Sequence, residues 1–260
     1  MTLYRSGSGI WMIGEHRAGL TRVAAAGPSW TPDELADLER WWDFSDAATL
    51  FTDAGTTPVS SDGALIYQAN DQSGNGDHAV QATAGNRPEY KTAIQNGRAA
   101  ALFTASDPNW LGISLIFAGA GTVMIAQQTS GDMGLIGAYG PNPQFRIGQS
   151  GGNVISTYDG TNNPVSSTFA TARTGWTIVG YRWTGGTVSF YENGIPRSSG
   201  VMAGGGPGTA NRIGTISGAL YAQGYIGEIV QCGAALSNDD ANLLGAYMTT
   251  RWGLSWTTIS

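Results

Sequence analysis

Four polar side chains stand at alternate positions in NDQSGNGDHAVQ (Asn70 to Gln81): Asp71, Ser73, Asn75 and Asp77, with Gly76 at the sharpest point. Alternating oxygen donors around a glycine imitate the first half of an EF-hand-type calcium loop. The twelfth position of such a loop needs a bidentate Glu, and Ala82 stands there. Asp and Asn beside Gly also build self-bonded turns with no metal. The structural turn is therefore the favoured reading, with no metal or cofactor, and calcium should raise the melting temperature no more than magnesium does.

Other chemistry is thin. His16 and His78 are the only histidines, in different regions and without a Cys or His at ligand spacing, which argues against zinc. No GxSxG surrounds a serine, and no GxxxxGK[ST] cradles a phosphate. GGGPG (Gly204 to Gly208) has no following lysine or helix and reads as a turn. The carboxylates of DELADLE (Asp33 to Glu39) are at helical spacing, and Glu192 and Glu228 each lack an acidic neighbour two residues away.

Sugar recognition needs an aromatic face with amides and carboxylates beside it. Two loops combine them, AYGPNPQ (Ala138 to Gln144) and TYDGTNNP (Thr157 to Pro164). Tyr139, Asn142, Tyr158, Asp159, Asn162 and Asn163 are the candidate glycan contacts. The competing reading makes these loops plain turns whose tyrosines cap a core. Trp110 and Trp183 are alternative platforms, at strand positions where a core role is more usual.

The elements that would carry these residues are short strands. Candidates recur at sandwich spacing over 41–45, 64–69, 78–82, 98–104, 110–117, 121–128, 133–138, 144–149 and 153–158. TGWTIVGYRW (Thr174 to Trp183) and TVSFYENG (Thr187 to Gly194) read as a hairpin joined by Thr184-Gly185-Gly186, and Asn193-Gly194 as a second hairpin turn. Thr31, Pro32 and Glu34 open a short helix over 32–39 with a capping box. A second helix runs over 238–252. Ser237 caps it, Asp239 and Asp240 sit in its first turn, Leu243, Leu244, Tyr247, Met248 and Trp252 mark its apolar face, and Gly253 ends it. The uncharged run Trp110 to Ala126 is too short and too glycine-rich to span a bilayer and reads as two strands.

Composition agrees with an all-β chain. Of 260 residues, 41% are hydrophobic and only 12% charged, about half the usual share. The surface must be built from Ser, Thr, Asn, Gln and Gly. A net charge of −6 without a Lys/Arg run argues against nucleic acid. Residues 1–28 are the exception: Arg5, Arg17 and Arg22 outnumber Glu15, making a slightly basic arm on an acidic body. That arm reads as an attachment segment with one short strand near Ile10 to Ile13. IWMIG (Ile10 to Gly14) is too short for a secretion signal core. The single Cys232, in YIGEIVQCGAAL, reads as a buried, inert thiol.

WWDFSD (Trp41 to Asp46), DQSGNGDHAVQ, RPEY (Arg87 to Tyr90), GRAAALF (Gly97 to Phe103), SFYENGI and IGEIVQCGAALSNDDANLLGAYMTTRWGL together resemble the concanavalin A-like lectin/glucanase sandwich. The resemblance covers residues 40–254 and is nearest the laminin G-like version found in phage and bacterial surface proteins. It implies two antiparallel sheets in a jelly roll, with glycan bound at a rim or a concave face. Hydrolases on this sandwich carry an ExDxE strand whose paired carboxylates flank the glycosidic bond; no such triplet occurs here. The resemblance thus implies a non-enzymatic virion protein, of head-spike or tail-fibre type, or a surface protein. Residues 29–260 would form the sandwich and bind cell-surface polysaccharide. Residues 1–28 would dock other virion structural proteins. Such a particle is assembled in the cytoplasm, with no membrane insertion, and by analogy with symmetric fibres the protein is a candidate homo-oligomer. A purely structural fibre module, or more remotely a glycoside hydrolase, are the alternatives.

Overall fold

The computed structural model describes residues 3–5, 11–13, 30–116, 119–129, 135–137, 154–158, 164–168, 175–201, 209–216 and 220–260. Two antiparallel sheets form a sandwich, as the alternating apolar runs require. The larger sheet orders its strands as Ile195–Val201, Thr187–Glu192, Thr177–Thr184, Ala120–Thr129, Gly224–Cys232, Arg98–Phe103 and Glu89–Gln95. Leu38–Asp43 pairs with the other half of Gly224–Cys232. The smaller sheet runs Ile136–Gly137, Thr209–Ile213, Leu111–Ile116, Ala79–Val80, Gln68–Ala69 and Leu50–Phe51. The uncharged run from Trp110 therefore is two strands, one in each sheet. Leu3–Arg5 and Trp11–Ile13 pair only with each other among the described residues.

The larger sheet is covered on both faces, which explains why its central strands are apolar at successive positions. Val123, Ile125, Val179, Tyr181, Trp183, Ile226 and Ile229 face the smaller sheet. Met124, Ala126, Ile178, Val230 and Cys232 face a C-terminal helix, Asn238–Trp252, and pack on its Ala241, Leu244, Met248 and Trp252. A bulge in Gly224–Cys232 opposite Ala126 and Gln127 shifts this alternation. Gly227 sits there because the Trp252 ring occupies its side-chain space: a Cβ would lie 2.4 Å from ring carbon.

Both expected hairpins form. Gly185 and Gly186 have φ of 54° and 83°, and Asn193 and Gly194 have 49° and 78°, the left-handed pair that a two-residue turn requires. The helix spans the expected residues. The Ser237 hydroxyl accepts from Asp240 N at 3.1 Å, and Gly253 closes it at φ 63°. Its buried face differs from the expectation, since Leu243 points outward at 46% exposure. The expected 32–39 helix is one 3-10 turn, Pro32–Glu34, although Glu34 does accept from Thr31 N at 3.1 Å. Buried Leu35 ends the turn, and Leu38–Asp43 has already joined the sheet.

The other strand boundaries moved in the same way. The 41–45 strand starts earlier, 64–69 shrinks to Gln68–Ala69, and of 133–138 the described residues place Ile136–Gly137 in a strand. Val154–Tyr158 forms and pairs with Pro164–Thr168; 144–149 lies outside the described residues. Glu89–Gln95, not read as a strand from sequence, and Ile195–Val201, the strand that follows the Asn193-Gly194 turn, are the flanking strands of the larger sheet.

Candidate functional site

The Asp71 loop is a clasp. One Asp71 carboxylate oxygen accepts from Trp41 N and Ser73 N, both at 2.9 Å; the other accepts from the Ser73 hydroxyl at 2.7 Å and Asp77 N at 3.2 Å. The Asn75 amide donates to the Glu39 carbonyl at 2.9 Å, and Arg40 Nε donates to Asp77. Asp71 N donates to His78 Nδ1 at 3.1 Å. The alternating side chains thus hold the Leu38–Asp43 strand in place. No group of three His, Cys, Asp or Glu suited to a metal ion occurs among the described residues.

Tyr139, Asn142, Asp159, Asn162 and Asn163 lie outside the described residues, as does His16. Tyr158 ends its strand as the register partner of Pro164. Of the alternative platforms, Trp183 is a core residue at 1% exposure, and the Arg212 guanidinium lies 3.7 Å from the Trp110 ring centroid, over one ring face. Glu192 is held by Arg197 Nε at 3.0 Å. Cys232 is buried and free, and burial together with the charges of Asp37, Glu39 and Asp240 pushes its thiol up to about 12.

A different set of residues converges between the start of the sandwich and the helix. Trp41 and Asp43 alternate onto the helix-facing side of their strand, while Trp42 turns to the inter-sheet core. Register sets Asp43 opposite Glu228. The acidic neighbour that Glu228 lacks along its own strand thus comes from the adjacent one. Glu228 is fully buried. One of its oxygens accepts from Trp41 Nε1 at 2.7 Å and the Tyr247 hydroxyl at 2.8 Å; the other accepts from Trp252 Nε1 at 2.9 Å. Arg251 bridges the two acids, pairing with Asp43 and standing 3.4 Å from Glu228. Asp43 also accepts from Ser45 N and the Ser45 hydroxyl, at 2.8 and 2.6 Å. Burial, then the charge of Asp43, pushes Glu228 up to about 7, while Arg251, Trp252 and Tyr247 pull it down. Tyr247 is raised by burial and by Glu228, so its phenol stays protonated.

Above this cluster opens a polar cleft of about 300 Å³. Asp43, Ser45, Asp46, Gln72, Arg98 and Arg251 contribute polar groups, and Trp41 and Tyr247 contribute rings. It shares Thr31, Arg98, Tyr247 and Arg251 with an adjoining, more apolar hollow of about 400 Å³, walled by Trp30 and Leu243. Tyr247 meets Trp30 edge-on at 5.8 Å and Trp41 at 6.3 Å. The Gln72 backbone is tied to the Trp41 carbonyl at 2.8 Å, but its side-chain Nε2 is buried without a hydrogen-bond partner. Arg98 Nε donates to the Arg251 carbonyl at 2.8 Å, which fixes it against the helix end. Apolar ring edges beside carboxylates, an amide and guanidinium groups are what a polyhydroxylated ligand requires. Sequence inspection missed this site because its members are brought together only by strand register and helix docking.

No family model and no curated protein sequence matches this chain. Solved structures with the same fold do. The fourth domain of an extracellular GH43 arabinanase from Geobacillus stearothermophilus, solved with arabinotriose, is 17% identical, with a TM-score of 0.53 over 80% of this chain and 98% of that one. The botulinum neurotoxin serotype D binding domain is 12% identical, with a TM-score of 0.58 over 86% of this chain and 56% of that one. A GH54 α-L-arabinofuranosidase is 15% identical, with a TM-score of 0.57 over 82% and 62%. At these identities the likeness establishes the β-sandwich fold. The chain spans little more than half of the toxin domain.

Proposed function

We propose that this chain is a non-catalytic carbohydrate-binding β-sandwich. The observation that carries the reading is the cleft in which Trp30, Trp41 and Tyr247 converge with Asp43, Asp46 and the unbonded Gln72 amide. Its fold relatives include a domain solved with arabinotriose and a neurotoxin binding domain whose type C counterpart enters cells through two ganglioside molecules. A hydrolytic role is disfavoured because Glu228 is fully buried and both its oxygens are engaged by protein donors. The setting we propose is a virion or other particle surface. Residues 1–28 attach the sandwich to neighbouring structural proteins, and the sandwich faces cell-surface polysaccharide.

Glycan arrays followed by calorimetry test this reading. Gln72→Ala removes a polar side chain that lines the cleft and should weaken a hit about tenfold, the worth of one hydrogen bond. Binding lost in Tyr158→Ala but unchanged in Gln72→Ala would move the site to the two stretches containing Tyr139, Asn142, Tyr158, Asp159, Asn162 and Asn163. No binding to any glycan would leave the structural-module reading in its place. Deleting residues 1–28 should free the sandwich from its assembly without loss of binding.

A further inference from the structure

We propose that Glu228 is the positioning residue of this cleft: one buried carboxylate orients the Trp41 and Tyr247 rings directly and, through Arg251, the Asp43 carboxylate. Four groups that line the cleft are therefore set by a residue that does not line it. An ionised carboxylate offers only acceptor sites, about four of them. Here it accepts from two indole N–H groups and one phenol O–H, and the Arg251 guanidinium stands 3.4 Å away as its counter-charge. Among the described residues, Glu228 is the hydrogen-bond partner of the Trp41 and Trp252 indole nitrogens and of the Tyr247 hydroxyl, so the orientation of these rings depends on that acceptor.

The arrangement is linked to a proton. The ionisable groups facing Glu228 are Asp43 on the adjacent strand and Tyr247 and Arg251 on the helix. On its other side the register partner is Ala126, which carries none. A protonated Glu228 has an O–H that needs an acceptor. Of the side chains that bond to it, pair with it or lie opposite it, the Tyr247 oxygen and Asp43 can accept, and for Tyr247 this reverses the bond that now aims the phenol at Glu228. The held geometry thus belongs to the ionised state. Its titration near neutrality, raised by burial and Asp43, places the change in an accessible range.

The ligand-dependent part of this proposal rests on the carbohydrate reading; the positioning itself does not, and the experiment separates them. In ligand-free protein labelled with nitrogen-15, the Trp41 and Trp252 indole N–H signals should titrate together, with one midpoint near neutrality. In Glu228→Gln that titration should vanish and the Trp41 signal should move. For any glycan that binds, Glu228→Gln should weaken affinity about fivefold or more with an unchanged circular dichroism spectrum, and lowering the pH should do the same to the wild type. If no glycan binds, the carbohydrate reading fails, and the indole signals still decide the role of Glu228. Should Glu228→Gln not fold, Tyr247→Phe removes one of the two donors sharing an oxygen and should shift the Trp41 indole signal. Indole signals that ignore pH, or a Trp41 signal unmoved by these substitutions, would overturn the proposal.

Discussion

Replacing Arg251 by Met tests the buried charge cluster most sharply. Methionine keeps much of the aliphatic stem that packs at the helix end but removes the cation between Asp43 and Glu228. Those two acids are 3% and 0% exposed and face each other across paired strands. Stripping one partner from a buried ion pair costs about 3–5 kcal/mol, because the remaining charge stays desolvated. The cost should depend on pH in a defined direction. Glu228 is raised from 4.5 to about 7 in the folded chain. A carboxyl raised on folding contributes stability that is complete below its unfolded value and is lost as pH rises through its folded value. In the wild type that loss falls between pH 4.5 and about 7 and amounts to about 3 kcal/mol at 1.36 kcal/mol per pH unit. Arg251 pulls Glu228 downward, so without it the loss extends to higher pH. Urea unfolding of both proteins at about pH 5, 7 and 9 should show the gap between them widening as pH rises, with unchanged slopes. A gap that is constant with pH, or below about 1 kcal/mol throughout, would refute the reasoning.

Four further outcomes are expected. Asp71→Ala leaves the backbone donors of Trp41, Ser73 and Asp77 without their acceptor and should cost about 2–4 kcal/mol in thermal or urea unfolding; calcium should shift the wild-type melting temperature no more than magnesium. Gly194→Ala, at φ 78° and with a Cβ that would lie 1.9 Å from the Thr257 carbonyl oxygen, should destabilise by more than about 1 kcal/mol, read as a lower urea midpoint. Gly227→Ala should displace the Trp252 ring, visible as a changed near-ultraviolet circular dichroism signal and a loss of about 1–3 kcal/mol.

Much of the fold was legible because it is written in local chemistry. Gly185-Gly186 and Asn193-Gly194 supply positive φ, which few other residues accept, so both hairpins could be placed, the first within one residue because Thr184 belongs to its strand. Ser237, Asp240 and Gly253 mark the helix ends through caps that involve only near neighbours. The Asp71 loop was readable as a turn for the same reason, though not as the clasp that holds Trp41. The run after Thr31 misled because a capping box starts a helical turn but cannot say how long it lasts. Pairing of Leu38–Asp43 with Gly224–Cys232 ended it.

The cleft belongs wholly to the tertiary structure. Asp43, Gln72, Arg98 and Glu228 come from distant parts of the chain, and of the set only Tyr247 and Arg251 share a local spacing, one helical turn. Sheet register put Asp43 opposite Glu228, and helix docking brought Tyr247, Arg251 and Trp252 onto the same carboxylate. The amino-acid sequence by itself determined an all-β sandwich with a capped C-terminal helix, since caps, turns and alternation act over a few residues. Which polar groups meet, which carboxylate is buried and which rings face the cleft depend on contacts between distant segments, and only the packed sandwich decides those.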